Sequence, residues 1–215
     1  MKWLIVAGGV GAAMLAGTFA LAFGGERQST GNGPDQGPYR GSEPPARFEL
    51  PGFSLRNYDG REVVSTDLRG RVVVLTFLDS QCTDVCPILA SQIAGTIDRL
   101  ASGEREAVRA VGISTDPSED TPTSVRAFLG KQRALGRLFY LRGSETEMRA
   151  LWSRFQILAS LESGEDTLHS APVRIYDRDG VWVATLHAGV DLSEDNLLHD
   201  IRTALAAGRD GEVRR

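Results

Sequence analysis

The chain has 215 residues, 41% of them apolar and 24% charged, with a net charge of −4. That is ordinary globular composition, enough for one domain with appendages. The acidic balance, with no basic run, excludes an electrostatic nucleic-acid binder.

In chain order, the first element is an uncharged run, "WLIVAGGVGAAMLAGTFALAF", over residues 3–23. As a helix it spans about 31 Å, close to the ~30 Å hydrocarbon core of a bilayer. It reads as a transmembrane anchor, or as a signal peptide cleaved after the small-x-small triplet Ala20-Leu21-Ala22. On either reading the remainder is expected outside the cytoplasmic membrane, on the periplasmic or extracellular side, and either membrane-tethered or secreted. Residues 24–47 hold ten Gly or Pro in twenty-four and show no apolar period. They read as a flexible linker.

A domain is expected over residues 48–207, followed by a disordered tail, 208–215. The stretch "RFELPGFSLRNYDGREVVSTDL" predicts short strands turning at Asp59-Gly60, an N-terminal hairpin extension. "RVVVLTFL" is nearly continuous and β-branched, the pattern of a strand buried on both faces. A helix is expected from about Pro87 to Ala101, then a second buried strand, "AVRAVGIST". Thr121-Pro122 opens another helix, with Thr as N-cap and Pro in the first turn. "ETEMRALWSRF" predicts a third. "PVRIYDRDG" and "VWVATLHAG" form a hairpin about Asp179-Gly180, and residues 193–207 a last helix. Strand-helix-strand units closing on a hairpin and a helix predict an α/β fold, a mixed central sheet with helices on both faces. The order is that of thioredoxin.

The only cysteines, Cys82 and Cys86, lie in "DSQCTDVCPILASQI", just after the first long strand. A disulfide between them closes too short a loop to be a useful staple. Cys86, Leu89, Ile93, Ile97 and Leu100 share one helical face, so Cys86 is expected half-buried at a helix start and Cys82 exposed in the loop before it. A helix N-terminus favours thiolate. Paired thiolates suit a reversible disulfide or a soft metal such as Cu(I). Three residues between the cysteines, rather than the two of exchange motifs, fit a chelate at least as well. Of the three histidines, His169 enters the hairpin beside the cysteines and is the candidate third ligand, while His187 and His199 read as edge or surface residues.

"CTDVCP", "VGISTDPSEDTP" and "LHSAPVRIYDRDG" together resemble the Sco/SenC family of thioredoxin-fold copper proteins, over most of residues 48–207. The resemblance implies copper bound by Cys82, Cys86 and His169. It also implies delivery of copper, or of electrons, for assembly of the copper site of cytochrome c oxidase, with a subunit of that oxidase or another exported copper or thiol protein as partner. Asp84 matches the acidic residue the family carries between its cysteines. Three positions depart from the family pattern: Asp79 replaces an aromatic, Thr83 a proline, and Leu168 the acid before the histidine. Pro172 has the spacing of a thioredoxin cis-proline, which keeps an alternative open, a thiol–disulfide oxidoreductase with Cys82 and Cys86 as its catalytic pair and no metal. A peroxidase is a distant third, since Asp79 stands where its threonine belongs.

Overall fold

The computed structural model describes residues 37–157 and 172–212, with side chains to residue 207. Seven strands form one mixed sheet in the order β2-β1-β5-β4-β3-β6-β7. At its centre is β3 (Val72–Leu78), seven residues buried without exception. Such a run is stable only where both faces are covered. β4 (Val108–Ser114) and β5 (Phe139–Arg142) lie parallel to it. β6 (Pro172–Tyr176) runs antiparallel to β3 and hairpins into β7 (Trp182–His187). The N-terminal hairpin, β1 (Ser54–Asn57) and β2 (Glu62–Val64), joins the sheet through β1 and β5. Its turn carries Gly60 at φ +90°, a conformation that suits glycine.

Among the described residues the α-helices are α1 (Val85–Arg99), α2 (Ser102–Glu106), α3 (Pro122–Lys131), α4 (Glu145–Arg154) and α5 (Glu194–Glu212). α1, α3 and α5 pack on one face of the sheet. α4 closes the other, where Met148, Leu151 and Trp152 meet Phe53, Leu55 and Leu75. α1 places Leu89 and Ile93 wholly inside, each worth roughly 1.5–3 kcal/mol of burial. Thr121 caps α3 by accepting the Ser124 N–H. Ser144 and Glu147 cap α4 reciprocally, satisfying N–H groups that the helix itself leaves unpaired.

Four expectations need correction. The linker assignment fails at its C-terminal end. The N–H groups of Arg40 and Gly41 donate to the buried Asp200 carboxylate at 2.7 and 2.9 Å, and Ser42 bridges Thr185 of β7. A buried carboxylate needs donors, and these backbone amides supply them. α5 continues to Glu212, so part of the expected disordered tail is helical. α1 begins at Val85, two residues earlier than Pro87, which a first-turn proline tolerates. β5 was not expected at all. Residues 3–23 lie outside the described residues. No helix among the described residues is long and apolar enough to cross a membrane.

Candidate functional site

β3 delivers the chain to Leu78, and residues 79–84 turn it into α1. The turn is locally bonded: Gln81 N–H donates to Asp79 Oδ1 at 2.7 Å, and Cys82 N–H to the Asp79 carbonyl at 3.3 Å. Asp79 is half-buried, and burial raises its carboxyl above the ordinary range, with Asp120 and Asp116 adding repulsion against the Gln81 N–H. Asp84, the N-cap position of α1, makes no side-chain cap bond and is exposed.

Cys86 occupies the first turn of α1 and is 7% exposed. Its sulfur accepts the Asp79 N–H at 3.4 Å and hydrogen-bonds the Cys82 thiol. Cys82 is part exposed, and both cysteines are free thiols. The structure thus brings the two sulfurs together at the mouth of the helix. It does not make them alike. Burial pushes the Cys86 thiol far above its ordinary value, opposed by the Asp79 N–H and reinforced by Cys82 beside it. The expectation of a half-buried thiolate there is corrected. Desolvation disfavours charge, and on the sheet-facing side of α1 it is the largest influence on this thiol.

Below the turn lies Asp120, the residue just before the Thr121-Pro122 helix start and not among the expected site residues. Asp120 is fully buried. Its carboxylate accepts the Ser80 N–H at 2.8 Å, the Ser114 hydroxyl at 2.5 Å and the Tyr140 hydroxyl at 2.7 Å. The Tyr140 oxygen also stands 2.9 Å from the Leu78 carbonyl. Burial, then the Asp120 charge, raises the Tyr140 phenol far above its usual range. Residues 78–80, which carry the chain into the cysteine turn, are therefore held from inside the core. The "DP…DTP" spacing was the available signal, but Asp120's partners come from three separate segments, two of them 20 and 40 residues away.

His169 lies outside the described residues, as does the Ala171-Pro172 peptide bond. His187 ends β7, its N–H donating to Asp191 Oδ1 at 2.5 Å. His199 sits on α5 with Nδ1 3.0 Å from Asp200 Oδ1. Neither histidine has a cysteine partner. Among the described residues no group of three His, Cys, Asp or Glu is arranged to hold a metal ion. Two adjacent sulfurs are nonetheless a soft donor pair, suited to Cu(I) and short by one ligand. Pro172 restarts the described chain as the first residue of β6. Its carbonyl accepts from Thr76 Oγ1 at 2.9 Å, and the β3–β6 register sets Leu75 opposite Arg174, which carries Pro172 to the level of Phe77.

Residues 42–206 match the family model described as SCO1/SenC. The SCO1 protein homolog of Bacillus subtilis is 24% identical over 164 residues, covering 74% of this chain and 84% of that protein. Among solved structures, BsSco, described as a member of the Sco family of cytochrome c oxidase assembly proteins with a disulfide switch, superposes with a TM-score of 0.63 at 22% identity, over 76% of this chain and 96% of that one. Yeast Sco1 with copper bound gives 0.60 at 19% identity, over 73% and 91%.

Proposed function

The chain belongs to the SCO1/SenC family, and from that premise we propose that it is a copper-binding assembly factor that delivers copper for the copper site of cytochrome c oxidase. Cys82, Cys86 and His169 are the proposed ligands, two soft sulfurs and one imidazole suited to Cu(I). The observation that carries this reading is the pair of free, hydrogen-bonded thiols at the start of α1. The position of His169 along the chain supports its choice as the third ligand. It precedes Pro172 by three residues, and three residues extend no further than about 11 Å. Pro172 in turn stands at the level of Phe77, two residues before the Asp79 N–H that bonds Cys86.

Each residue has a separate task. Cys82, part exposed, meets the incoming ion first. Cys86 gives up its proton as the ion binds, because a bound metal favours the thiolate that burial disfavours. The Asp79 N–H already faces the Cys86 sulfur and continues to donate to it as charge forms. Residues 1–23 are proposed to tether the domain to the membrane, with the copper site on the extracytoplasmic side.

The test is a Cu(I) titration of the full chain against a competing chelator. The reduced protein should bind one ion per chain and the disulfide form none. His169→Ala should weaken binding by more than about tenfold, the loss that removing even an outer partner of a ligand produces, while Cys82–Cys86 disulfide formation proceeds as before. Equal affinity in His169→Ala would overturn the three-ligand site and leave thiol–disulfide exchange, with Cys82 attacking and Cys86 resolving, as the function.

A further inference from the structure

The parallel strands β3, β4 and β5 all end toward the cysteines and all begin at the opposite pole, about 20 Å away along a seven-residue strand. At that pole a cleft of about 960 Å³ opens between the starts of β4 and β5 and the end of α1. Its walls carry five arginines, Arg61, Arg71, Arg105, Arg109 and Arg137, against two carboxylates, Asp98 and Glu106. In a chain of net charge −4 this is a local reversal of sign.

The arginines divide into two groups. Arg137 is committed to Asp98 at 2.6 Å, and Arg105 donates to the carbonyls of Asp98 and Leu100. Of the other three, Arg109 and Arg61 converge on Phe139, and Arg71 lines the same cleft. The guanidinium of Arg109 lies 5.5 Å from the ring centroid and that of Arg61 5.6 Å. Arg61 has Asp59 as its counterion, and Arg71 makes one bond, to the Asp67 carbonyl. Arg109 has no carboxylate among the described residues. It is half-buried on β4, and its guanidinium is held below its ordinary value by burial and by the neighbouring charges of Arg71 and Arg61. Like charges gathered on one aromatic ring, one of them part desolvated, repel at a cost that a bound anion removes. Guanidinium forks match phosphate oxygens two at a time.

We propose that this cleft is a second binding site, for a phosphate oxyanion, formed by Arg109, Arg71 and Arg61 over Phe139. Arg109 supplies the fork at the floor, while Arg71 and Arg61 close from the rim. The phosphate can belong to a soluble molecule or to an anionic lipid headgroup. In the second case the cysteine pole points away from the membrane surface.

The experiment uses the full chain in a neutral detergent. Inorganic pyrophosphate, titrated at constant ionic strength with chloride as reference, should bind saturably and raise the thermal midpoint. In a second arm the micelles are doped with phosphatidylglycerol or with phosphatidylcholine. A rise with pyrophosphate alone identifies a soluble ligand, and a rise with phosphatidylglycerol but not phosphatidylcholine identifies a headgroup. Arg109→Gln should lower affinity by about tenfold or more, the loss of a charge-assisted bond, with Arg109→Lys intermediate. Should Arg109→Gln fail to fold, Arg71→Gln, which gives up a single backbone contact, decides with a smaller loss in the same direction. Disulfide formation between Cys82 and Cys86 should stay at the wild-type rate in every variant. No rise in either arm, or binding as tight in the glutamine variants as in wild type, overturns the proposal.

Discussion

Removing the Asp120 carboxylate should loosen the cysteine turn from beneath. Asp120→Ala strands three donors: the Ser80 N–H, the Ser114 hydroxyl and the Tyr140 hydroxyl. Tyr140 recovers a partner, because its oxygen already stands 2.9 Å from the Leu78 carbonyl. The other two do not, and Ser114 is wholly buried. A stranded buried donor costs about 1–3 kcal/mol, so the expected loss is ~2–6 kcal/mol. Against a typical whole-domain stability of about 5–15 kcal/mol that is large. Asp120→Asn keeps one oxygen for Ser80 and offers its amide to the Ser114 oxygen, so its loss should be only about 1–2 kcal/mol. Urea unfolding of the reduced full chain, with the slope unchanged, measures both. Thiol reagents should also reach Cys86 faster in Asp120→Ala, since residues 78–80 are no longer fixed. A loss below about 0.5 kcal/mol, within the range of ordinary surface substitutions, would refute the anchoring role, and so would equal losses for Ala and Asn.

Gly41→Ala should dislodge the docked N-terminal segment, because the new Cβ would come 2.6 Å from the Thr185 carbonyl oxygen. The expected cost is about 1–3 kcal/mol, and amide exchange at Arg40 and Ser42 should accelerate while the cysteine turn is unaffected. Unchanged exchange at those amides would contradict the docking. Asp79→Asn should stabilise the protein at neutral pH. Burial raises the folded-state carboxyl above its unfolded value, so the folded state binds the proton more tightly and wild-type stability falls as pH rises from the unfolded value through the raised folded one. The asparagine carries no such penalty, so its advantage should be full above that window and vanish below it. An advantage independent of pH would rule out charge burial as its cause.

Much of this architecture could be read in the sequence because its signals are local. The nearly all-apolar β3, the Thr121-Pro122 helix start and the Asp179-Gly180 hairpin each announce themselves within a few residues. The parts that escaped are set by distant partners. β5 is four residues, Phe-Tyr-Leu-Arg, too short to show a period, and it is a strand because β4 and β1 offer it ladders on both sides. Residues 40–42 look like linker until the buried Asp200 demands donors. Asp120 is the clearest case at the site. Its neighbours Thr121 and Pro122 fit a helix-start pattern and obscure a carboxylate whose partners come from positions 80, 114 and 140.

The cysteine pair shows two local rules in conflict. Position at the N-terminus of α1 argues for thiolate, and position on its sheet-facing stripe argues for burial and a neutral thiol. Both readings follow from the same spacing, since Cys86 begins the stripe that continues through Leu89 and Ile93. Burial wins because the side chain of Cys86 is almost wholly removed from water, and the Asp79 N–H offers less than the lost hydration. The consequence is an asymmetric dithiol, with a part-exposed Cys82 beside an enclosed Cys86 whose thiolate is disfavoured by burial. A soft ion arriving at such a pair must displace the buried proton to gain its second sulfur. Within the proposed function, capture at Cys82 and closure onto Cys86 are then separate steps, and the core beneath the turn, through Asp120 and Ser80, sets how readily the second follows the first.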